Sequence, residues 1–226
     1  MNLSQRKIKN KLLAELLPSD FALLAHDLTH VELHRGDVLV FPGQRIEHSW
    51  FLDDGIASLV VTSREGHEAE AAIIGPEGMV DVATILGALV SPLRCNVQIP
   101  GCAWRMPAQA LTAACQSSET LRLALNRFAF KLMAQIAQTA LANASFTIEE
   151  RLARWLLMRS DRLPGQEIAI THEFLSLMLN VRRAGVTMAV QSLQSSGFIA
   201  SGRARIKITN RSGLEEFAGD AYTVMA

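Results

Sequence analysis

The sequence predicts an α+β chain: an N-terminal antiparallel β-roll of the jelly-roll type, a long helix, and a C-terminal winged helix-turn-helix. Three observations predict this order. Between residues 31 and 107, short strand-like runs alternate with glycines. No Gly or Pro interrupts the chain from Ala108 to Arg162. A short apolar run then reaches a turn at Asn180, and a second helical pattern opens with Arg182 and Arg183.

The length of 226 residues suits one large domain or two modest ones, with enough chain for a sizeable core. We expect residues 1–118 to form the β-roll with a leading helix, residues 119–147 to form a long dimerisation helix, and residues 148–226 to form the winged helix-turn-helix. The sequence contains no internal repeat or low-complexity segment that would suggest another architecture.

The first part begins with a helix within residues 12–28, for which Ser19 and Asp20 are candidate caps. Asp54-Gly55 and Glu65-Gly66 are typical of hairpin turns. Many short strands at even spacing favour an antiparallel barrel or jelly roll. The predicted strands are Asp37–Phe41, Ala57–Val61, Ala71–Ile74, Cys95–Ile99 and Ala103–Met106.

The long helical stretch carries an apolar seam at steps of three and four residues. A helix of this length outruns the surface of a small barrel, so we expect the seam to pair with the same helix of a second chain. Packing within one chain is the alternative. A polar residue on the seam would fix the register of the pair. The residues expected at the dimer contact are Leu125, Phe128, Leu132, Ile136 and Asn143.

The last part has the signals of a small α/β unit. Glu167–Ile170 is strand-like, and Thr171 is a good N-cap for the helix that follows. Asn180 suits the turn because Asn tolerates left-handed backbone geometry. The second helix is expected to end near Ser195, and residues 197–208 have the pattern of a β-hairpin wing.

The second helix is amphipathic, and its apolar face is predicted to pack on the first helix and the wing. Its outward residues include Arg182, Arg183, Thr187 and Gln191. An Arg near the helix start can donate two hydrogen bonds to a guanine edge, and Arg182 could instead neutralise a phosphate. Solvated residues on an ordinary surface helix remain the alternative. The inward residues are Val186, Ala189, Val190 and Leu193.

The distribution of charge favours a nucleic-acid partner for this part. The formal net charge of the whole chain is zero, so a basic signature over the full length is missing. Residues 182–211 nevertheless hold no Asp or Glu, and a local basic face can bind phosphates. An ordinary solvated surface is the alternative. The basic residues of this stretch are Arg182, Arg183, Arg203, Arg205, Lys207 and Arg211.

Composition excludes several other classes. Three cysteines, Cys95, Cys102 and Cys115, are too few and too irregular for a disulfide scaffold or a zinc site, and they fit a reducing cytoplasmic setting. The polar, basic stretch Met1–Lys11 predicts no signal peptide. No apolar run reaches the roughly 18–20 residues that span a bilayer, so no membrane partner is expected. We expect neither a metal nor a cofactor.

The order of these motifs resembles that of the Crp/Fnr family of bacterial transcription regulators, from about Leu12 to Leu214. The resemblance implies a homodimer that binds a palindromic site on double-stranded DNA, with half-sites about one helical turn apart. An activator would also touch RNA polymerase, through a surface that a single chain does not locate. The resemblance rests on Gly36–Leu39 with Phe41–Gly43, Gly75–Val80, Glu149–Leu157 and Leu177–Ala184.

Matching the motif to the family puts Arg183 at a base-reading position. Ala184 stands where many relatives have an acidic residue, and Met188 stands where they have an arginine or another polar residue. We therefore expect a DNA sequence preference different from theirs. The expected DNA-contacting residues are Thr171, His172, Arg182, Arg183, Ala184, Thr187, Met188, Gln191, Arg203 and Arg205.

The same comparison argues against cyclic AMP as the signal. Relatives that bind it use a Gly-Glu pair for the ribose and an Arg followed by a hydroxyl residue for the phosphate. Here Asp81-Val82 and Arg94-Cys95 stand at those positions, and Ile136-Ala137 stand where hydroxyls would reach the base. We expect an unidentified small effector, with a cyclic nucleotide in an altered pocket as the alternative. The candidate pocket residues are Val82, Arg94, Cys95 and Ile136.

Other sensor and enzyme interpretations are weaker. An iron–sulfur sensor needs N-terminal cysteines, and none precedes Cys95. His67 or Cys95 could be proposed as a haem ligand, but their spacing is not distinctive. Cys95 and Cys102 are expected to be buried strand and turn residues, with a redox switch as the alternative. A cupin-like barrel enzyme would need histidines converging on a metal, and the six histidines contain no His-x-His pair.

Overall fold

The computed structural model describes residues 3–165 and 167–222. Residues 1–2, 166 and 223–226, which include the outer ends of the predicted first and last domains, lie outside the described residues. The chain forms two compact units. One comprises residues up to Thr62 with Ala72–Ala134, and the other comprises Ser63–Ala71 with residues from Gln135 onward.

The strands of the first half form two sheets, and every pair with a defined register is antiparallel, as the fold class predicts. One sheet has the order β1-β8-β3-β6, and the other has the order β2-β7-β4-β5. The strands are β1 (Thr29–Leu33), β2 (Val38–Val40), β3 (His48–Leu52), β4 (Ile56–Thr62), β5 (Glu68–Ile74), β6 (Met79–Val80), β7 (Arg94–Ile99) and β8 (Gly101–Pro107).

The five predicted strands are confirmed as β2, β4, β5, β7 and β8, and the predicted set lacked β1, β3 and β6. The turn Glu65-Gly66 joins β4 to β5, which are neighbours in one sheet. Asp54-Gly55 does not form the expected hairpin, because β3 and β4 belong to different sheets. Gly55 has φ +82° there, and a Cβ would lie 2.5 Å from the Ile99 carbonyl oxygen, so only glycine fits.

The described part of the first unit also contains three short α-helices before residue 90. They are α1 (Lys11–Ala14), α2 (Pro18–Ala25) and α3 (Val82–Ile85). Helix α2 begins with Pro18 after Leu17, so Ser19 and Asp20 lie inside it and are not its caps. A proline at the first helical position is favourable because its missing N–H needs no partner there. The buried Asp20 accepts a hydrogen bond from the Ser118 hydroxyl at 2.6 Å.

The predicted helical stretch from Ala108 to Arg162 is divided into α4 (Ala108–Ser117), α5 (Glu119–Ser145) and α6 (Ile148–Arg162). The break before α6 is made by Thr147, whose hydroxyl accepts from the Glu150 N–H while Glu150 accepts from the Thr147 N–H. This capping box satisfies two backbone groups that a continuous helix would have bonded internally. No helix among the described residues is both long and apolar enough to cross a membrane.

The apolar seam predicted for a second chain lies largely inside its own unit. Leu125, Phe128 and Leu132 are buried, and a Cβ on Gly78 would lie 2.1 Å from the Phe128 ring. Ile136 is half-buried and Asn143 is exposed. The three buried residues therefore pack within the chain, as the alternative interpretation required. The large exposed apolar side chains of α5 are instead Leu123, Phe130, Met133 and Leu141.

The second unit contains one apolar core beneath a helix-turn-helix and a wing. Its elements are β9 (Ile168–Ala169), α7 (His172–Met178), α8 (Arg183–Ser195), β10 (Ile199–Gly202), β11 (Arg205–Ile208) and α9 (Arg211–Ala218). Helix α9 was not predicted. Arg211 joins it to the end of α6 through Asp161 at 2.6 Å, and Asp161 accepts from the Tyr222 hydroxyl at 2.7 Å. Burial and this hydrogen bond raise the pKa of Tyr222 to about 12.

Candidate nucleic-acid interface

The first helix of the motif is fixed at both ends. The Thr171 hydroxyl accepts a hydrogen bond from the Phe174 N–H at 3.1 Å, as the predicted N-cap requires. At the other end, the Arg151 guanidinium of α6 donates to the Leu179 carbonyl oxygen. A cation at a helix C-terminus also interacts favourably with the helix dipole and stabilises the helix. Sequence reasoning missed Arg151, because its partner lies 28 residues away.

The turn between the helices has the predicted geometry. Asn180 has φ +48°, which is left-handed. An asparagine adopts this conformation more readily than other residues with a side chain. Arg182 then takes the N-cap position of α8, and Arg183 is the first helical residue. Both side chains are exposed at the N-terminal end of α8.

The inward face of α8 is the predicted one. Val186, Ala189, Val190 and Leu193 are buried in the core with Leu175 of α7. Burial of this face fixes the rotation of the helix about its axis, because residues three and four apart lie on one side. The opposite side of α8 is therefore held towards solvent.

The solvent side of α8 mixes cationic, polar and apolar groups. Arg183, Ala184 and Gln191 are exposed, and Met188 is 67% exposed. Thr187 is half-buried and donates to the Arg183 carbonyl oxygen at 3.1 Å. Met188 therefore places an apolar side chain on the solvent side of α8.

A side-chain hydrogen bond joins the two helices of the motif. His172 Nδ1 of α7 lies 3.0 Å from the Thr187 hydroxyl oxygen of α8. Since the Thr187 hydroxyl proton is directed to the Arg183 carbonyl, His172 Nδ1 is assigned as the donor of this bond. These two predicted contact residues thus hold α7 and α8 together as well as lying beside the exposed arginines.

The wing carries the other predicted cations. Strand β11 pairs with β10 on one side and with β9 on the other. Arg203 and Arg205 are exposed around the turn, where Ala204 has φ +55°. Arg205 lies 3.4 Å from the Glu167 carboxylate. An exposed ion pair of this kind is worth little, so Arg205 can exchange Glu167 for a phosphate at small cost.

Two of the predicted effector residues lie near the buried carboxyl group of Asp81: Val82 follows it in the chain, and its charge acts on Cys95. Asp81 has φ +76°, and its carboxylate accepts from the Ser49 hydroxyl at 3.4 Å and from the Thr84 hydroxyl. Asp81 Oδ1 is buried and has no hydrogen-bond partner among the described residues. Burial raises the pKa of Asp81, although its hydrogen bonds oppose the shift. Val82, half-buried, follows as the first residue of α3.

Arg94 and Cys95 begin β7, opposite Val60 and Leu59 of β4. Arg94 is half-buried, whereas Cys95 is fully buried. Burial, reinforced by the charge of Asp81, raises the pKa of the Cys95 thiol. A buried, protonated thiol is a poor nucleophile and a poor redox sensor. Cys102 is not a turn residue, since it lies half-buried on β8, and Ile136 belongs to the other unit.

The raised pKa of Asp81 predicts a pH dependence of stability. Folded Asp81 holds its proton to higher pH than it does in the unfolded chain, so stability is lost as the pH rises from the ordinary carboxyl range through the raised pKa. We expect Asp81→Asn to be more stable than the native chain at neutral pH, because asparagine keeps the left-handed backbone without the buried charge. This advantage should shrink as the pH is lowered.

Thermal melts across the carboxyl range and at neutral pH measure this effect. Glu65→Gln is the control, because the Glu65 side chain is 85% exposed. A stability difference between Asp81→Asn and the native chain that does not change with pH would contradict the assigned ionisation of Asp81.

Two family models match the chain and together span more than half of it. One describes a cyclic nucleotide-binding domain and matches residues 30–118. The other describes a Crp-like helix-turn-helix domain and matches residues 150–217. No curated protein sequence matches the chain significantly.

Solved structures with the same fold cover both parts. FixK2 from Bradyrhizobium japonicum is 16% identical, covers 88% of this chain and 99% of its own, and has a TM-score of 0.73. A CRP/FNR family transcriptional regulator from Thermus thermophilus is 20% identical and covers 84% of this chain and 98% of its own, with a TM-score of 0.68. The c-di-GMP responsive global regulator CLP from Xanthomonas campestris is 11% identical and covers 84% and 98%, with a TM-score of 0.67.

The matched domains follow one another in the order that the sequence motifs predict. The fold is the mixed α/β arrangement of antiparallel sheets, a long helix and a helix-turn-helix seen in these regulators. With a cyclic nucleotide-binding domain followed by a Crp-like DNA-binding domain, the chain belongs to the Crp/Fnr family of transcriptional regulators.

Proposed function

We propose that this regulator acts as a homodimer that recognises a palindromic DNA site through α8. The observation that carries the proposal is the pair Arg182 and Arg183, exposed at the start of a helix whose opposite face is buried in a core. A helix presented in this way fits the DNA major groove, and its first residues reach base edges.

We assign the exposed arginines to two roles, base recognition and phosphate contact, according to their positions. Arg183, on the first turn of α8, reads a guanine through its O6 and N7 atoms. Arg182, at the N-cap, and the wing residues Arg203 and Arg205 neutralise phosphates on either side of the groove. Thr171 and His172 lie at the start of α7, and we assign both to contacts with the DNA backbone.

The remaining exposed residues of α8 set the sequence preference. Ala184 and Met188 present apolar groups, which match the C5-methyl group of thymine. Gln191, one turn further on, has an amide that can pair with an adenine edge. Thr187 completes the surface, with its hydroxyl held by His172.

We assign dimerisation to the exposed face of α5. Leu123, Phe130 and Ala137 recur at intervals of seven on its exposed side, with Met133 beside them. A seven-residue repeat of apolar positions is the pattern of paired helices, and a second copy of this chain supplies the matching face. Ile136 and Asn143, which are not fully buried, remain candidates at the margin of this contact.

The proposed domain limits are 1–118, 119–147 and 148–226, which the start of α5 at Glu119 and of α6 at Ile148 support. The β-roll is proposed to hold a small effector, near Val82, Arg94 and Cys95. The effector is not cyclic AMP bound through the usual contacts, because the buried carboxyl of Asp81 would repel a nearby phosphate and Val82 cannot bind a ribose hydroxyl. We assign no catalytic residue.

As a transcription regulator, the protein is proposed to act in the cytoplasm, where bacterial DNA lies, and to touch RNA polymerase if it activates. Selection of bound fragments from random DNA with the full-length chain tests the proposal. We expect a palindrome whose half-sites are about one helical turn apart. Recovery of fragments without a shared sequence would contradict sequence-specific recognition.

A further inference from the structure

Three side chains with different metal-binding atoms meet on the sheet with the order β1-β8-β3-β6. A nitrogen of His30, a carboxylate oxygen of Asp53 and the sulfur of Cys102 all lie within 4.8 Å of one another. His30 Nε2 is 3.9 Å from Asp53 Oδ2. In a tetrahedral zinc site with bonds of about 2.0–2.3 Å, ligand atoms are about 3.3–3.8 Å apart. Small side-chain rotations therefore close this arrangement around one ion.

The sheet register brings these residues together from three separate segments. His30 pairs with Trp104, and Glu32 pairs with Cys102, in the ladder between β1 and β8. Residues two apart on a strand share a face, so His30 and Cys102 are diagonal neighbours on one side of the sheet. Asp53 follows β3, and its N–H donates to the Cys102 carbonyl at 2.9 Å.

The carboxylate of Asp53 is held in place by other groups. Its Oδ1 accepts from the N–H groups of Lys9 at 3.1 Å and Asn10 at 2.8 Å. Its Oδ2 accepts from Trp104 Nε1 at 2.9 Å. A carboxylate accepts about four hydrogen bonds. Asp53 Oδ2 therefore keeps one lone pair that can bind an ion on the side where His30 lies. Fixed outer donors of this kind orient the ligands of metal sites.

The local charge favours a cation. The negative charges of Asp53, Asp54 and Glu32 act on Cys102, and the positive charge of Lys9 opposes them. A divalent cation would relieve the mutual repulsion of these groups and a bound thiolate. The His30 side chain is 47% exposed, so the cluster is open to solvent and a water can take a fourth position.

From this geometry we propose that His30, Asp53 and Cys102 bind one divalent cation of the zinc class. A donor set of one nitrogen, one oxygen and one sulfur suits zinc, whereas calcium and magnesium prefer oxygen alone. With one histidine in the cluster, the site is a binding site and not the multi-histidine centre of a cupin-like enzyme. It also revises the expectation from sequence that the chain holds no metal.

Titration of the chelator-treated, full-length chain with Zn²⁺ and with Co²⁺ tests the proposal. We expect one ion per chain, a higher melting temperature, and a thiolate-to-cobalt charge-transfer band in the near ultraviolet. Cys102→Ser should abolish that band. His30→Gln should weaken Zn²⁺ binding by at least about tenfold.

The chain offers matched controls for both variants. Cys115→Ser removes a cysteine of α4, and His34→Gln removes an exposed histidine beyond β1, so neither should change binding. Circular dichroism of each metal-free variant establishes that it is folded. Weak binding of Zn²⁺ with no saturation at one ion per chain would overturn the proposal. So would Zn²⁺ affinity and a cobalt band that survive in folded Cys102→Ser.

Discussion

Replacing Arg183 with alanine is expected to weaken binding to the selected palindrome by about 1–3 kcal/mol per half-site and to relax the preference at one base pair in each half. Arg183 lies at the first position of α8, exposed, while residues three and six positions later are buried and fix the helix. Its guanidinium thus reaches a base edge from a helix that is held rigidly by its buried face. Loss of a bidentate contact explains both the lower affinity and the loss of selectivity.

The neighbouring Arg182→Ala is the matched control for this result. At the N-cap, Arg182 is assigned to a phosphate, so its loss should weaken binding about equally on all sequences and lower the salt slope by about one per half-site. Binding curves on the palindrome and on single-base variants, each at several salt concentrations, separate the two effects. If the Arg183→Ala variant kept the native base preference, the proposed contact between Arg183 and a base edge would be refuted.

Replacing Phe130 with aspartate is expected to raise the dimer dissociation constant at least about a hundredfold. Phe130 is 65% exposed on α5, and burial of such a side chain against a second copy is worth about 1.5–3 kcal/mol. A two-fold interface contains the residue twice, so the loss is about 3–6 kcal/mol before the cost of two buried charges. Binding to the palindrome should weaken as the dimer dissociates, because each monomer contacts only one half-site.

Leu89→Asp is the control for this substitution. Leu89 is equally exposed, at 68%, but lies outside α5. Analytical ultracentrifugation over a range of concentrations should show a native-like dimer for Leu89→Asp and a monomer for Phe130→Asp. A Phe130→Asp chain that stays dimeric would move the interface away from this face of α5.

The helix-turn-helix was predictable because its signals are local. The cap at Thr171, the left-handed turn at Asn180 and the alternation of inward and outward residues on α8 each involve residues a few positions apart. Such short-range preferences survive in a single sequence. The wing was predictable for the same reason, since its two strands are joined by a short turn.

The seam of α5 and the strands β1 and β3 show what a single sequence leaves open. Periodicity places Leu125, Phe128 and Leu132 on one apolar face but does not say which partner covers it. Their own chain covers it, with Phe128 against Gly78. Strands β1 and β3 contain polar residues and take their pairing from β8, more than 50 residues away, so periodicity alone is weak there.

The candidate metal site and the buried carboxyl group of the first unit could not be predicted from the sequence, for a related reason. Cys102 has no ligand-like neighbour in sequence, and the sheet register alone brings His30 and Asp53 to it. Asp81 was noticed only as a departure from the family pattern. The structure adds its left-handed backbone and its hydrogen bonds with Ser49 and Thr84.

The affinity of the full-length chain for the selected palindrome, relative to a scrambled fragment of equal length at the same salt concentration, tests the central claim most directly. A dimeric reader with two exposed recognition helices predicts a ratio of at least about a thousand, with one dimer bound per palindrome. Equal affinity for the two fragments, or one monomer bound per palindrome, would contradict it.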